Sequence, residues 1–317
     1  MFSRQLILLL LAFVLAACES LVTDIDQSKL PQVGSKLVVQ CFISPQAARI
    51  NVVVTESVPL FAEPGLKGGV IRNAIVKLSD GTKEVVVPFD TTDQLYSIEK
   101  AAFTVLPGKT YFLSVTDGAR SVSSTCTVPA SAVLPRTYEI DTSYSGSVPN
   151  QDTSLTVKMT WNDIAQETNY YRVRAWLDLE YSVPQSADGN SVKEKRLRNR
   201  FNINWDDTIG RNDFRNDVNL DGASFNSPIG RVNLPDVMTI GLGNGAFYTL
   251  YPKSKIISVT MEVYNTDEHY FKYHRSLQTR GDADNPFVEP SLIYTNIEGG
   301  LGCFGSYNAG QSIYRPK

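Results

Sequence analysis

Lys36-Leu37-Val38-Val39-Gln40-Cys41-Phe42-Ile43, followed after Ser44–Arg49 by Ile50-Asn51-Val52-Val53-Val54-Thr55, is the stretch on which the fold turns. Both runs are dense in β-branched and apolar residues, which fit a pleated, half-buried surface better than a helix. The same texture recurs downstream in Ala74–Leu78, Glu84–Val87, Tyr96–Ile98, Thr110–Val115 and Ser121–Val128. The Pro/Gly-rich stretch Val58–Gly69 and the turn pairs Asp80-Gly81, Pro107-Gly108 and Asp117-Gly118 punctuate these runs, and such dipeptides mark tight turns between strands. About seven short strands over roughly 95 residues predict an immunoglobulin-like or transthyretin-like β-sandwich.

Pro129–Pro135 is a boundary, and the β texture resumes beyond it. Leu155–Trp161 (LTVKMTW) and Tyr170–Leu179 (YYRVRAWLDL) alternate apolar and polar residues, the period of a strand with one face buried. In Leu197–Trp205, Leu197, Phe201, Ile203 and Trp205 share one face, and Arg196, Arg198, Arg200, Asn202 and Asn204 the other. Lys255–Tyr264 is another strand. Thr266–Thr279 alone reads as a helix: Tyr270, Tyr273, His274 and Leu277 fall at helical spacing, with Asp267 and Glu268 at the N-terminal turn, where negative charge is favoured. The expected class is mainly all-β, with a larger second sandwich-like domain that carries one short helix near the C-terminus.

The N-terminus gives the clearest processing signal. Arg4 is the one charge before Cys18, and the apolar run Leu6–Val14 is too short to cross a bilayer as a helix, which takes roughly 20 residues. A charged start, a short apolar core and small residues before a cut site describe a secretory signal. Here Leu15-Ala16-Ala17 leads directly into Cys18, the pattern of a lipobox. Cys18 is therefore the expected lipid attachment site, carrying diacylglyceryl and acyl chains, since more than one chain is needed for firm anchoring. The residue after it is Glu19, and Asp24 and Asp26 make the tether mildly acidic. The expected organisation is signal peptide 1–17, lipidated tether 18–34, β-sandwich 35–133 and second β-rich domain 134–317. The expected location is the outer membrane, on the cell surface or otherwise on its periplasmic face.

Composition narrows the function. The 317 residues hold 30 Lys and Arg against 33 Asp and Glu, without the basic excess of a nucleic-acid binder. Cys41 and Cys126 stand in the first and last strands of the first sandwich. One reading joins them in a disulfide and the other leaves two buried thiols, because spacing alone does not fix pairing. Cys303 reads as a packing residue.

Gly300-Leu301-Gly302-Cys303-Phe304-Gly305 matches a dinucleotide fingerprint in spelling only. That fingerprint needs an acidic residue about 20 positions on, and the chain ends at Lys317. These glycines read as turn and close-packing residues, and Gly241-Leu242-Gly243-Asn244-Gly245 fails the same test. Asp217-Val218-Asn219-Leu220-Asp221-Gly222 matches the first half of a calcium loop, with oxygens from Asp217, Asn219 and Asp221 and a turn at Gly222. The twelfth position, normally a bidentate acid, is Pro228, so Asp206 or Asp213 would have to substitute. The other reading is a polar inter-strand loop. Arg196, Arg198 and Arg200, with Lys193 and Lys195 nearby, suit an anion or a partner's carboxylates, or form a solvated face. His269 and His274 lie about 140° apart around a helix and do not make a metal pair. No G-x-S-x-G elbow occurs. Two distant carboxylates of the glycosidase kind leave no trace in spacing. The expectation is a non-enzyme without catalytic residues, whose one cofactor-like group is its lipid.

The ending Asn285-Pro286-Phe287-Val288-Glu289-Pro290, then Tyr294-Thr295-Asn296-Ile297-Glu298-Gly299-Gly300-Leu301-Gly302-Cys303-Phe304-Gly305, resembles that of domain of unknown function 4249, a family of Bacteroidota lipoproteins. The lipobox, the Leu37–Ile43 strand and the Tyr270–Leu277 helix resemble the same family, so the likeness spans most of the mature chain. Cys41 departs from it, where a small residue such as Gly is expected, and Cys303 stands where an aliphatic is commoner. The resemblance implies a surface-facing outer-membrane lipoprotein that accompanies a TonB-dependent receptor in substrate capture or uptake. It brings no established chemistry. A structural or assembly component of an envelope complex is the alternative, with a surface hydrolase a distant third. Tyr170, Tyr171, Tyr248 and Tyr251 are candidate interface or sugar-stacking residues, or else sheet-face residues.

Overall fold

The computed structural model describes residues 34–58, 68–145, 152–186, 191–206, 212–243, 245–279 and 292–316. In chain order the first strands are β1 (Leu37–Ile43), β2 (Arg49–Glu56), β3 (Ile75–Ser79), β4 (Glu84–Val87), β5 (Phe89–Asp90), β6 (Leu95–Glu99), β7 (Thr110–Thr116) and β8 (Ser121–Thr127). They are followed by β9 (Thr137–Ser145), β10 (Asp152–Asn162), β11 (Tyr170–Ser186), β12 (Val192–Asn202), β13 (Asn204–Trp205), β14 (Phe214–Asn216) and β15 (Ser224–Asn226). The last elements are β16 (Gly230–Asn233), β17 (Met238–Gly241), β18 (Phe247–Leu250), β19 (Lys255–Thr266), the helix α1 (Glu268–Thr279) and β20 (Leu301–Tyr314). The chain is thus mainly β, in sandwich-like layers.

Alternation sets the layers. Leu37, Val39, Cys41 and Ile43 of β1 are buried and the residues between them are not; β7 and β8 alternate in the same way. β1, β2, β6 and β5 form one half of a nine-stranded sheet, and β4-β3-β7-β8 form the sheet that packs with it. Val52, Val54, Val76, Leu78, Tyr96, Tyr111 and Val115 fill the space between, each large apolar side chain contributing about 1.5–3 kcal/mol on burial. A second cluster lies under β11 and β19, where Leu155, Val157, Met159 and Trp161 of β10 meet Tyr171, Val173, Leu177, Val259 and Met261. β10 belongs to a five-stranded sheet ordered β13-β16-β10-β15, with β9 paired to β10.

The first cluster draws mainly on residues 37–128 with Ile297 and Phe304, the second on residues 133–263, and β20 joins them. It runs antiparallel to β19 and parallel to β1, so the nine-stranded sheet continues across both halves in the order β12-β11-β19-β20-β1-β2-β6-β5. Phe304 of β20 lies in the first cluster, and Tyr314, ten residues on, packs against the second. The glycines of Gly300–Gly305 make this seam. Gly302 has φ +107, and a Cβ there would stand 2.0 Å from the Val39 carbonyl oxygen. Gly305 lets α1 close on the sheet, since its Cβ would meet the Tyr270 backbone at 3.0 Å. Close packing, as expected, is their use.

Two sequence expectations need correction. The Cys41–Cys126 disulfide is not formed: both are buried free thiols, as is Cys303. Cys41 lies on β1 and Cys126 on β8, in the two facing sheets, and each thiol packs in the apolar layer between them. Burial pushes all three thiols well above the usual cysteine range, which makes them inert packing groups. The strand expected through Leu197–Trp205 also breaks. β12 ends at Asn202, Ile203 is buried, and β13 pairs with β16 of the other sheet. The shared face survives, but the chain changes sheets at Ile203.

The helix forms as expected and packs on the sheet face opposite the cores. Tyr270 and Tyr273 are buried while Leu277 is exposed. Phe42 of β1 packs against the rings of Tyr270, Tyr273 and His274, and the Gln40 amide donates to the Tyr273 hydroxyl at 2.7 Å.

Candidate metal centre

The loop between β14 and β15 folds as a tight polar turn. Leu220 N donates to the Asp217 carbonyl at 2.6 Å and Ala223 N to the Leu220 carbonyl at 3.0 Å. Asn219 and Gly222 take positive φ of 62° and 69°, a conformation that Asn and Gly tolerate best. The turn brings Asp217 and Asp221 to one side.

A second loop, between β10 and β11, closes over that side. Asp163, immediately after β10, donates its backbone N–H to the Ala223 carbonyl at 2.9 Å. Its carboxylate accepts from the Tyr171 hydroxyl at 2.6 Å and from Gly222 N at 2.8 Å. Asn169 N donates to Asp217 Oδ2 at 2.9 Å, and Gln166 N donates to Asp221 Oδ1 at 2.7 Å. One carboxylate oxygen from each of Asp163, Asp217 and Asp221 lies within 4.8 Å of the other two. Asp163 and Asp217 are buried and Asp221 is exposed. The acid that completes the set is thus neither Asp206 nor Asp213. Asp206 faces Arg231, and Asp213 is bonded to Arg172.

Beside the carboxylates, Gln166, Glu167, Thr168, Asp217, Val218, Asn219 and Asp221 line an open groove. Asn169 is 4 % exposed. Its side-chain N–H donates to Glu167 Oε1 at 3.3 Å, yet its Oδ1 is buried without a hydrogen-bond partner. Among ion pairs between described residues, none reaches Asp163, Asp217 or Asp221. This donor set is all oxygen and carries a formal charge of −3 from its three carboxylates, which suits a hard cation.

The profile of the family described as Domain of unknown function (DUF4249) matches residues 19–313. The chain belongs to that family. No curated protein matches it. Among solved structures, the B domain of a biofilm-associated protein aligns at 8 % identity with a TM-score of 0.16, over 88 % of this chain and 85 % of its own. A likeness that low carries no argument.

In this DUF4249 chain, the arginine stripe is largely neutralised by its own sheet. Arg196 reaches Glu180, and Arg200 makes two bonds of 2.9 Å to Asp178. Arg198 stands opposite Glu180 on the neighbouring strand. The two histidines have separate partners. His269 pairs with the Tyr294 hydroxyl at 2.7 Å. His274 lies between the rings of Tyr270 and Phe42, where burial pushes it down to about 4. Tyr170 and Tyr171 are sheet residues: Tyr170 packs on Phe271 and Tyr171 on Trp161. Cys18 and Asn285–Pro290 lie outside the described residues.

Sequence reasoning missed Asp163 and Asn169. Both lie far upstream of the Asp217 turn, and nothing in local spacing links them to it. The available hint was Asn162-Asp163 directly after a strand, a common turn signal.

Proposed function

We propose that this protein is a lipid-anchored outer-membrane protein, displayed at the cell surface, that serves a TonB-dependent receptor as a non-enzymatic accessory in substrate capture or uptake. The lipobox at Leu15–Cys18 supports the anchor. The observation that carries the partner role is the β17–β18 hairpin, a two-stranded sheet of its own. Phe247 on it is 77 % exposed and Tyr251 just after it 70 %. Aromatic side chains held in water on a hydrogen-bonded hairpin suit protein contact. Val237, also exposed, extends the apolar surface. The edge strand β12 is built differently: it carries Lys193, Lys195, Arg196, Arg198 and Arg200, and charge on an edge discourages strand addition.

Native purification from outer membranes in mild detergent tests the reading. A TonB-dependent receptor should co-purify with wild type in stoichiometric amount. Phe247→Ser with Tyr251→Ser should lose the receptor while keeping the melting temperature, and Cys18→Ala should leave the membrane fraction. Recovery of a different assembly moves the role to envelope construction. Recovery of no partner refutes a stable complex.

A further inference from the structure

We propose that Asp163, Asp217 and Asp221 hold a calcium ion that fastens the β10–β11 loop to the β14–β15 loop. The proposal stands independently of the receptor reading.

Three observations converge on it. The first is the loop itself: Asp217, Asn219 and Asp221 occupy the first, third and fifth positions of a calcium turn, and Gly222 takes the sharp sixth. The missing twelfth ligand is replaced from another part of the chain by Asp163, whose carboxylate oxygen lies within 4.8 Å of the other two. The second is uncompensated charge. Two of the three carboxylates are buried, and none pairs with Lys or Arg among the described residues. Buried charge is costly unless it is paired or bound to a metal.

The third is Asn169. Asn169 is buried beside the groove, with its backbone N–H on Asp217 and its side-chain N–H on Glu167, both of which line it. The amide oxygen meets no donor. Buried acceptors are rarely left so, and a cation supplies the partner that no N–H here does. Three carboxylates with one or two amide oxygens and water reach the six to eight oxygen ligands that calcium takes. Magnesium demands a tighter octahedron and keeps most of its water, so the open side of the groove favours the larger ion.

The backbone bonds already in place explain what binding does. Gly222 N and Gln166 N each donate across the two loops to these carboxylates, so the loops are aligned before the ion arrives and the ion removes their mutual repulsion. An affinity on the order of 10⁻⁴ M, as in extracellular calcium modules, suffices outside the cell.

The experiment is calorimetric titration of calcium chloride into the full lipoprotein in detergent after EGTA treatment, paired with thermal unfolding. One saturable equivalent of calcium is expected, and a hundredfold excess over Kd should raise the melting temperature by about 5 °C. Asp221→Asn should weaken binding at least tenfold without lowering the calcium-free melting temperature, because Asn keeps the acceptor for Gln166 N and removes one of the mutually repelling charges. Asp163→Asn should weaken it similarly. Absence of heat and of a thermal shift at 5 mM calcium would overturn the proposal, as would unaltered binding in both variants. Magnesium binding as tightly as calcium would overturn the choice of ion.

Discussion

Two residues, the cap Asp267 just before α1 and His274 within it, give the protein opposed responses to pH. Asp267 caps the helix, accepting from Tyr270 N at 2.7 Å and from the Ser306 hydroxyl at 2.8 Å, and burial pushes its carboxyl up to about 7. His274 is pushed down to about 4, by burial first and by Arg172 second. For Asp267, the folded state holds a proton that the unfolded chain releases near its ordinary value. Its stabilising contribution is therefore complete at low pH and is lost as pH rises from about 4 to about 7. For His274, the unfolded chain takes up a proton that the folded state refuses, so its contribution is present above about 6.5 and is lost as pH falls toward about 4. The windows overlap and the signs oppose. Against wild type, Asp267→Asn should add a rise of melting temperature from pH 4 to 6.5, and His274→Gln should add a fall. Variants that follow the wild-type slope would contradict these assignments. Legibility also divides at this scale. Asp217, Asn219 and Asp221 were readable because one turn holds them together, whereas Asp163 and the orphaned Asn169 oxygen become meaningful only when two distant loops meet.

At the scale of elements, alternation carried most of the information. β1, β2, β7, β8, β10 and β11 were legible because each buries one face, so the period of 2 is written into the chain. Short strands between residues 214 and 250 were not, since three or four residues cannot display a period. The break between β12 and β13 was hidden because Ile203 keeps the same alternation while the chain passes to another sheet. What fixes α1 to the sheet was equally unreadable. Arg172 of β11 bonds Asp213 at 2.9 Å and the Tyr270 hydroxyl at 2.8 Å, and Gln278 donates to the same Asp213. Arg172 and Asp213 side chains are only 16 % and 10 % exposed, so removing one partner strands a buried charge. Arg172→Ala should cost about 3–5 kcal/mol in urea unfolding. Arg196→Ala, which breaks an exposed pair with Glu180, should cost no more than about 1 kcal/mol. Equal costs would show that the buried clamp has been misjudged.

Over the whole molecule, the decisive feature is that the last strand completes both cores. β20 pairs with β1 at the beginning of the chain and with β19 near its end. Strand identity was legible, but this parallel pairing was not, because contact between residues 38 and 301 leaves no local pattern. All three tryptophans, Trp161, Trp176 and Trp205, lie beyond residue 134, so their fluorescence reports the second cluster while far-ultraviolet circular dichroism reports both. The two transitions should coincide on heating. Gly302→Ala, which drives a Cβ into the Val39 carbonyl at the seam, should lower both together. A tryptophan transition that stays in place while the dichroism splits would show that the two halves fold independently.

The same seam places β1 at the centre of the nine-stranded sheet, while the aromatic hairpin β17–β18 forms a sheet of its own. The proposal that this protein is lipid-anchored and holds a transport receptor through that hairpin is tested most directly on intact cells. A photo-activatable cross-linking residue at Phe247 should give one dominant adduct with a TonB-dependent receptor. The same residue at Val86, exposed on β4, should give none. Equal labelling from both positions, or an adduct at Phe247 that contains no receptor, would contradict the account.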